Sequence, residues 1–137
     1  DAMTKNVITI YEDSLLEEAA VIMRENRIGS IPVIKDEKLV GIITESDIFD
    51  SFINLLGFKE IGSRITVESN DEPGALAVIA DIFKSFNANI THIVAYRGNN
   101  GKTDVVIRTD TLDTEEIEKK LEENGYRIEH VLKNAEN

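Results

Sequence analysis

Two short segments of this chain combine residue types and spacing that could hold a ligand. In Gly41-Ile42-Ile43-Thr44-Glu45-Ser46-Asp47 an apolar strand pattern runs straight into a helical one, which puts the Thr44 hydroxyl and the Asp47 carboxylate at a helix N-terminus. Free N–H groups and the positive end of the helix dipole attract phosphate there, and a carboxylate can accept hydrogen bonds from ribose hydroxyls. The same Thr-x-x-Asp spacing is close to a capping box, which would use both side chains to finish the helix. The turn alone leaves these two readings equal. In Asn70-Asp71-Glu72-Pro73-Gly74-Ala75-Leu76 there are again two readings. Either Pro73 opens a helix at its first position, where its missing N–H costs nothing, and Gly74 allows close packing, or Gly74 exposes backbone N–H groups to a small carboxylate-bearing ligand. Asn87-Ala88-Asn89-Ile90, which leaves that helix, is a second anchor or simply a polar turn.

Catalytic machinery is hard to find. The only histidines, His92 and His130, each fall inside an expected strand, and neither belongs to an H-E-x-x-H or G-x-S-x-G arrangement. No Walker-type loop is present, and no pair of carboxylates is singled out for divergent pKa values. The chain has no cysteine, which removes disulfides, thiolate nucleophiles and cysteine-ligated metal sites. Its 137 residues carry a formal charge of −11, shared as −6 over residues 1–60 and −5 over residues 61–137. A carboxylate excess without a basic stripe argues against nucleic acid, whose affinity comes from clustered Lys and Arg. The longest apolar run, Ala75 to Ala80, is far short of the roughly 20 residues that cross a bilayer. A soluble, cytoplasmic, non-catalytic protein without a bound metal or cofactor is expected.

The elements that position these turns follow from periodicity. Val7-Ile8-Thr9-Ile10 is β-prone, and Ser14-Leu15-Leu16-Glu17 has capping-box spacing ahead of an apolar stripe at Leu16, Ala19, Ala20 and Met23. Ile31 to Ile34 and Leu39 to Ile43 read as strands around the turn Lys35-Asp36-Glu37-Lys38, followed by a helix over Thr44 to Leu56. Gly57 and Gly62 bracket a boundary, giving units of 1–60 and 61–137. A half-buried strand over Arg64 to Glu68 then precedes a helix from Ala75 to Phe86 with a stripe of Leu76, Ile79, Phe83 and Phe86. Asn89 to Tyr96 and Thr103 to Thr109 form a hairpin. A carboxylate-capped helix starts at Asp113-Thr114 and ends at Asn124-Gly125, and a last strand runs from Tyr126 to Lys133. The fold class is α+β, a β-α-β-β-α unit followed by a ferredoxin-like βαββαβ unit.

Residues 1–57 resemble a CBS domain. The resemblance is carried by Asp1-Ala2-Met3-Thr4 with Val7-Ile8-Thr9-Ile10, by Arg27-Ile28-Gly29-Ser30-Ile31-Pro32-Val33, and by Gly41-Ile42-Ile43-Thr44 through Asp47. It implies a module that binds an adenosine derivative such as AMP, ADP, ATP or S-adenosylmethionine. Thr44 would contact phosphate or ribose, Asp47 would hold the ribose hydroxyls, and Thr4, Ile8, Ile31 and Pro32 would surround the adenine. Many nucleotide-binding members carry a basic residue just before the Asp, where this chain has Ser46. Residues 62–134 resemble an ACT domain through Asp71-Glu72-Pro73-Gly74-Ala75-Leu76 and Asn89-Ile90. That implies an amino-acid site at a dimer interface using Asp71, Gly74, Ala75, Leu76 and Asn89, with His92 as a further candidate.

The order CBS then ACT resembles the acetoin-utilisation protein B group, which reads CBS-CBS-ACT. One CBS domain is absent here and the chain opens on Asp1 rather than Met, so a fragment or a shortened relative is expected. A lone CBS unit would expose the apolar face its tandem partner covers, which points to a homodimer. The expected function is regulatory sensing of small molecules. The alternative is a structural dimerisation module without ligand.

Overall fold

The computed structural model describes residues 9–11, 16–70, 72–98 and 101–135. The Asp1 to Ile8 segment, the Ser14 cap, Asp71 and the hairpin tip at Asn99 and Asn100 lie outside them, so Thr4, Ile8 and Asp71 are not placed. The chain divides into two compact units, residues 1–52 and 53–137. No helix among the described residues is long and apolar enough to cross a membrane.

The first unit contains β1 (Ile10–Tyr11), α1 (Leu16–Asn26), β2 (Ser30–Lys35), β3 (Lys38–Thr44) and most of α2 (Glu45–Leu56). β1 pairs parallel to β2, and β2 antiparallel to β3. Asp36 and Glu37, between β2 and β3, take φ of 51° and 63°, the positive values that match a two-residue turn to the twist of its strands. A small core of Ala19, Met23, Ile31 and Ile48 joins both helices to β2, with Leu16 and Ala20 partly buried beside it. The outer strand is different. Leu39, Val40 and Ile42 of β3 are 62%, 53% and 59% exposed.

The second unit contains β4 (Gly62–Ser69), α3 (Ala75–Ser85), β5 (Ile90–Arg97), β6 (Thr103–Thr109), α4 (Glu115–Glu123) and β7 (Arg127–Asn134). Its antiparallel sheet has the order β5-β6-β4-β7. Alternation places Ile65, Val67, Val105 and Ile107 on one face, where they join Ile79, Ile82 and Phe83 of α3 and Ile117 and Leu121 of α4. Among the described residues, neither α3 nor α4 joins the opposite face. β4 begins earlier than its apolar alternation suggests, because Gly62 (φ 142°) passes so close to the Thr109 carbonyl that a Cβ would lie 2.0 Å from its oxygen.

Helix ends correct three sequence expectations. Pro73 is not the first residue of α3. Gly74 occupies the N-cap at φ 86°, and Pro73 precedes it. Nothing lies within 4 Å of a Cβ built on Gly74, so the glycine serves the left-handed backbone rather than close packing. At α4 the N-cap is Thr114, not a carboxylate, and its side chain makes no cap hydrogen bond. Thr114 is fully buried, and its hydroxyl donates instead to Glu118 Oε2 at 2.7 Å.

The C-termini use backbone closure. Gly125 N–H donates to the Glu122 carbonyl and Tyr126 N–H to Leu121, and Asn87 and Ala88 repeat the pattern on Lys84 and Phe83, the Schellman arrangement. Asn87 adopts φ 54°, which accounts for one asparagine of the polar turn without a ligand. Phe83, 1% exposed at the centre of the larger core, is the side chain whose loss should cost most. Phe83→Ala is expected to lower stability by about 3–5 kcal/mol, read as a shift of the urea midpoint.

Candidate functional site

The strand-to-helix turn at α2 is closed by its own side chains. Thr44 N–H donates to Asp47 Oδ2 at 2.8 Å, and Asp47 N–H donates to Thr44 Oγ1 at 3.2 Å. This is a reciprocal capping box, and both residues remain exposed. Ser30 pairs with Thr44, Ile31 with Ile43 and Pro32 with Ile42, so the structure brings Ile31 and Pro32 alongside the turn. The Ile31 side chain is fully buried. It packs in the core, so at this turn Ile31 offers its backbone rather than its side chain. Pro32 is half-buried at the surface. A cavity of about 570 Å³ between α1 and α2 is lined by Met23, Arg24, Ile28, Glu45, Phe49 and Phe52 among others. Among the described residues, Ile31, Pro32, Thr44 and Asp47 do not line it.

At the second turn Gly74, Ala75 and Leu76 share a cavity of about 290 Å³ with Ser69, Asn70 and Glu72. Ala75 N–H is taken by the Glu72 carbonyl, and the Ala75 carbonyl accepts from the Tyr126 hydroxyl at 3.1 Å. Burial, and then the Glu72 charge, holds the Tyr126 phenol above its usual range. Asn89 is elsewhere. It follows the C-terminus of α3, which at 1.5 Å per residue is about 16 Å long, and lines a separate cavity with Lys84 and Asn87. Its N–H donates to Asp110 Oδ1, and its carbonyl accepts from Thr109 Oγ1 at 2.7 Å. One copy of the chain therefore does not bring Gly74 and Asn89 together.

His92 is occupied by packing. Its Nε2 lies 3.2 Å from Glu60 Oε2, its Nδ1 lies 3.1 Å from Thr91 Oγ1, and a Cβ on Gly57 would come within 2.6 Å of the ring. The imidazole fastens residues 57–60 to β5. Sequence reasoning missed a carboxylate group on the helix-free face, where oxygens of Glu68, Asp104 and Glu129 come within 4.8 Å of one another. Lys102 Nζ lies 3.3 Å from Glu68 Oε1, and Arg127 Nη2 lies 3.4 Å from Glu68 Oε2. A hydrogen bond with Asp104 is the first cause that raises the Glu129 carboxyl, followed by desolvation. These residues sit on three strands, and no local sequence pattern joins them.

Comparisons with known proteins agree with this architecture. Residues 1–54 match the CBS domain family and residues 61–132 the TTHA0829-like ACT domain family. The uncharacterized protein MJ1232 of Methanocaldococcus jannaschii is 32% identical over 116 residues, covering 82% of this chain and 37% of that protein. The inosine-5'-monophosphate dehydrogenase of Korarchaeum cryptofilum is 44% identical over 60 residues, covering 44% of this chain and 13% of that enzyme. The CBS domain-containing protein YhcV of Bacillus subtilis is 38% identical over 48 residues, covering 35% of this chain and 34% of that protein. The chain thus spans little more than a third, or less, of each of these relatives. With more than half of its length in that match and a CBS domain ahead of it, the chain belongs to the TTHA0829-like ACT domain family.

Proposed function

We propose that this chain is a non-catalytic sensor that binds an adenosine derivative (AMP, ADP, ATP or S-adenosylmethionine) at its CBS domain, residues 1–60, and an amino acid at its ACT domain, residues 61–137. CBS and ACT domains are typically regulatory ligand-binding modules. The observation that carries the reading is the exposed Thr44–Asp47 turn at the N-terminus of α2. A helix N-terminus favours phosphate, and the Asp47 carboxylate has a second oxygen to offer ribose. Pro32 and the backbone of Ile31 flank this turn, and Thr4 and Ile8 complete the adenine contacts. Binding regulates only if the ligand favours one arrangement of the protein over another.

At the ACT domain, Asp71, Gly74, Ala75 and Leu76 of one copy and Asn89 of a second form the amino-acid site, because α3 separates them within one copy. This requires a homodimer, and the exposed Leu39, Val40, Ile42 and Phe49 of the first unit are further apolar surface for it to cover. A cytoplasmic location fits a chain without cysteine. A place in acetoin utilisation rests on the domain order alone.

A second reading is favoured by the capping box itself. Thr44 and Asp47 satisfy each other without a ligand, as in a purely structural dimerisation module.

Thermal unfolding separates the two. A ligand at about 100 times its dissociation constant adds about 2.7 kcal/mol, which raises the midpoint by several degrees. That shift is expected with one adenosine compound and absent in Asp47→Ala, which also loses about 0.5–2 kcal/mol of cap stability. Dimerisation with no shift for any compound would establish the structural reading. For the amino-acid site, Leu76→Glu and Asn89→Ala are each expected to abolish binding in calorimetry. Their equimolar mixture should regain about a quarter of the sites, since half the dimers are mixed and each holds one intact site.

A further inference from the structure

The helix-free face of the second unit also carries a cluster of positively charged side chains without a close ion-pair partner among the described residues. In the sheet register Arg64 of β4 is directly opposite Arg108 of β6 on one side and Leu132 of β7 on the other. Like charges placed directly across a strand pair repel. Burial, followed by the Arg64 charge, lowers the pKa of the Arg108 guanidinium. The Phe58 ring centre lies 5.7 Å from Arg108 Cζ. A cation–π contact holds the guanidinium in place, yet brings no negative charge. Lys59 and Lys133 close a cavity of about 590 Å³ over Arg64, Arg108, Phe58 and Leu132.

Among the described residues, none of Lys59, Arg64, Arg108 and Lys133 has a carboxylate within ion-pair distance. The Glu60 charge raises the Arg108 pKa, but less than burial and the Arg64 charge lower it. In a chain of net charge −11, four such cations around one concave site are out of keeping with the rest of the surface. At the other end of the same face Lys102 and Arg127 both serve Glu68.

We propose that this cavity binds a small organic phosphate, with Arg64 and Arg108 clamping the phosphoryl group and Phe58 and Leu132 packing against its apolar or planar part. Two guanidinium forks match phosphate oxygens bidentately, and Lys59 and Lys133 add point charges at the rim. The volume suits a small molecule. Phe58 and Leu132 are 64% and 46% exposed, a wall that inorganic phosphate alone would leave uncovered. The site shares no residue with either turn assigned above, so it does not rest on the sensor reading.

Calorimetric titration of the full chain with phenyl phosphate and with inorganic phosphate tests this. Saturable binding of one phenyl phosphate per chain is expected, tighter than inorganic phosphate. Arg64→Gln/Arg108→Gln should weaken phenyl phosphate by at least about 10-fold, while Lys38→Gln/Lys119→Gln, with the same loss of charge elsewhere, should not. Phe58→Ala should remove the preference for the phenyl compound. In the wild-type chain, the Arg64 and Arg108 Nε–H resonances should shift during the titration, a readout that needs no variant to fold. The proposal is overturned by absence of saturable binding, by equal weakening in both double variants, or by unshifted arginine resonances. It is equally overturned if the arginine variant changes only the oligomeric state, which would make this face a contact between protein copies.

Discussion

The second unit depends on the burial of its central strand. β4 lies between β6 and β7, and its Ile65 and Val67 are completely covered by the two helices. The two-residue period of a strand then dictates everything on the other side: Arg64, Thr66 and Glu68 must face away from the helices. Register with β6 adds Asp104 and Arg108 to that face. The basic cavity at one end and the carboxylate group at the other are therefore consequences of how the hydrophobic core is built. Thr66, between them, is 6% exposed, with a hydroxyl oxygen that has no partner among the described residues. Such a group costs about 1–3 kcal/mol, which the core beneath it must offset.

The first unit has a smaller core. Ala19, Met23, Ile31 and Ile48 are buried, while Phe49 of α2 and Leu39, Val40 and Ile42 of β3 lie largely in the open. The capping box matters more in such a unit than in a well-filled one. It is the local device that sets where β3 stops and α2 begins, independently of how much surface is buried. The same two side chains thus hold the element in place and remain exposed.

Glycine and asparagine act in the second unit through backbone geometry. Gly74 turns the chain into α3, Gly62 lets β4 pass the Thr109 carbonyl, and Asn87 and Gly125 close helices through left-handed residues. Arg27 does the same at α1 with φ 52°, a position where no glycine signals the end. His92 belongs with these positional devices, since it ties Gly57 to Glu60 onto β5.

The order of strands and helices was legible in the amino-acid sequence, because the 2.0 and 3.6 residue periods and the turn residues act over a few neighbouring positions. The alternation of β4, the hairpin from β5 to β6 and the Asn124-Gly125 stop of α4 all follow from such local rules. The separation of Gly74 from Asn89 within one copy was not drawn from the sequence, which grouped them as one site. What the turns do was less legible. Thr44 and Asp47 carry one spacing with two meanings. The pairing of Arg64 with Arg108, the meeting of Glu68, Asp104 and Glu129, and the contact of Phe58 with Arg108 were decided by tertiary structure alone. These groups are far apart along the chain, and only hydrogen-bond register between strands, which no local period encodes, brings their charges to one place.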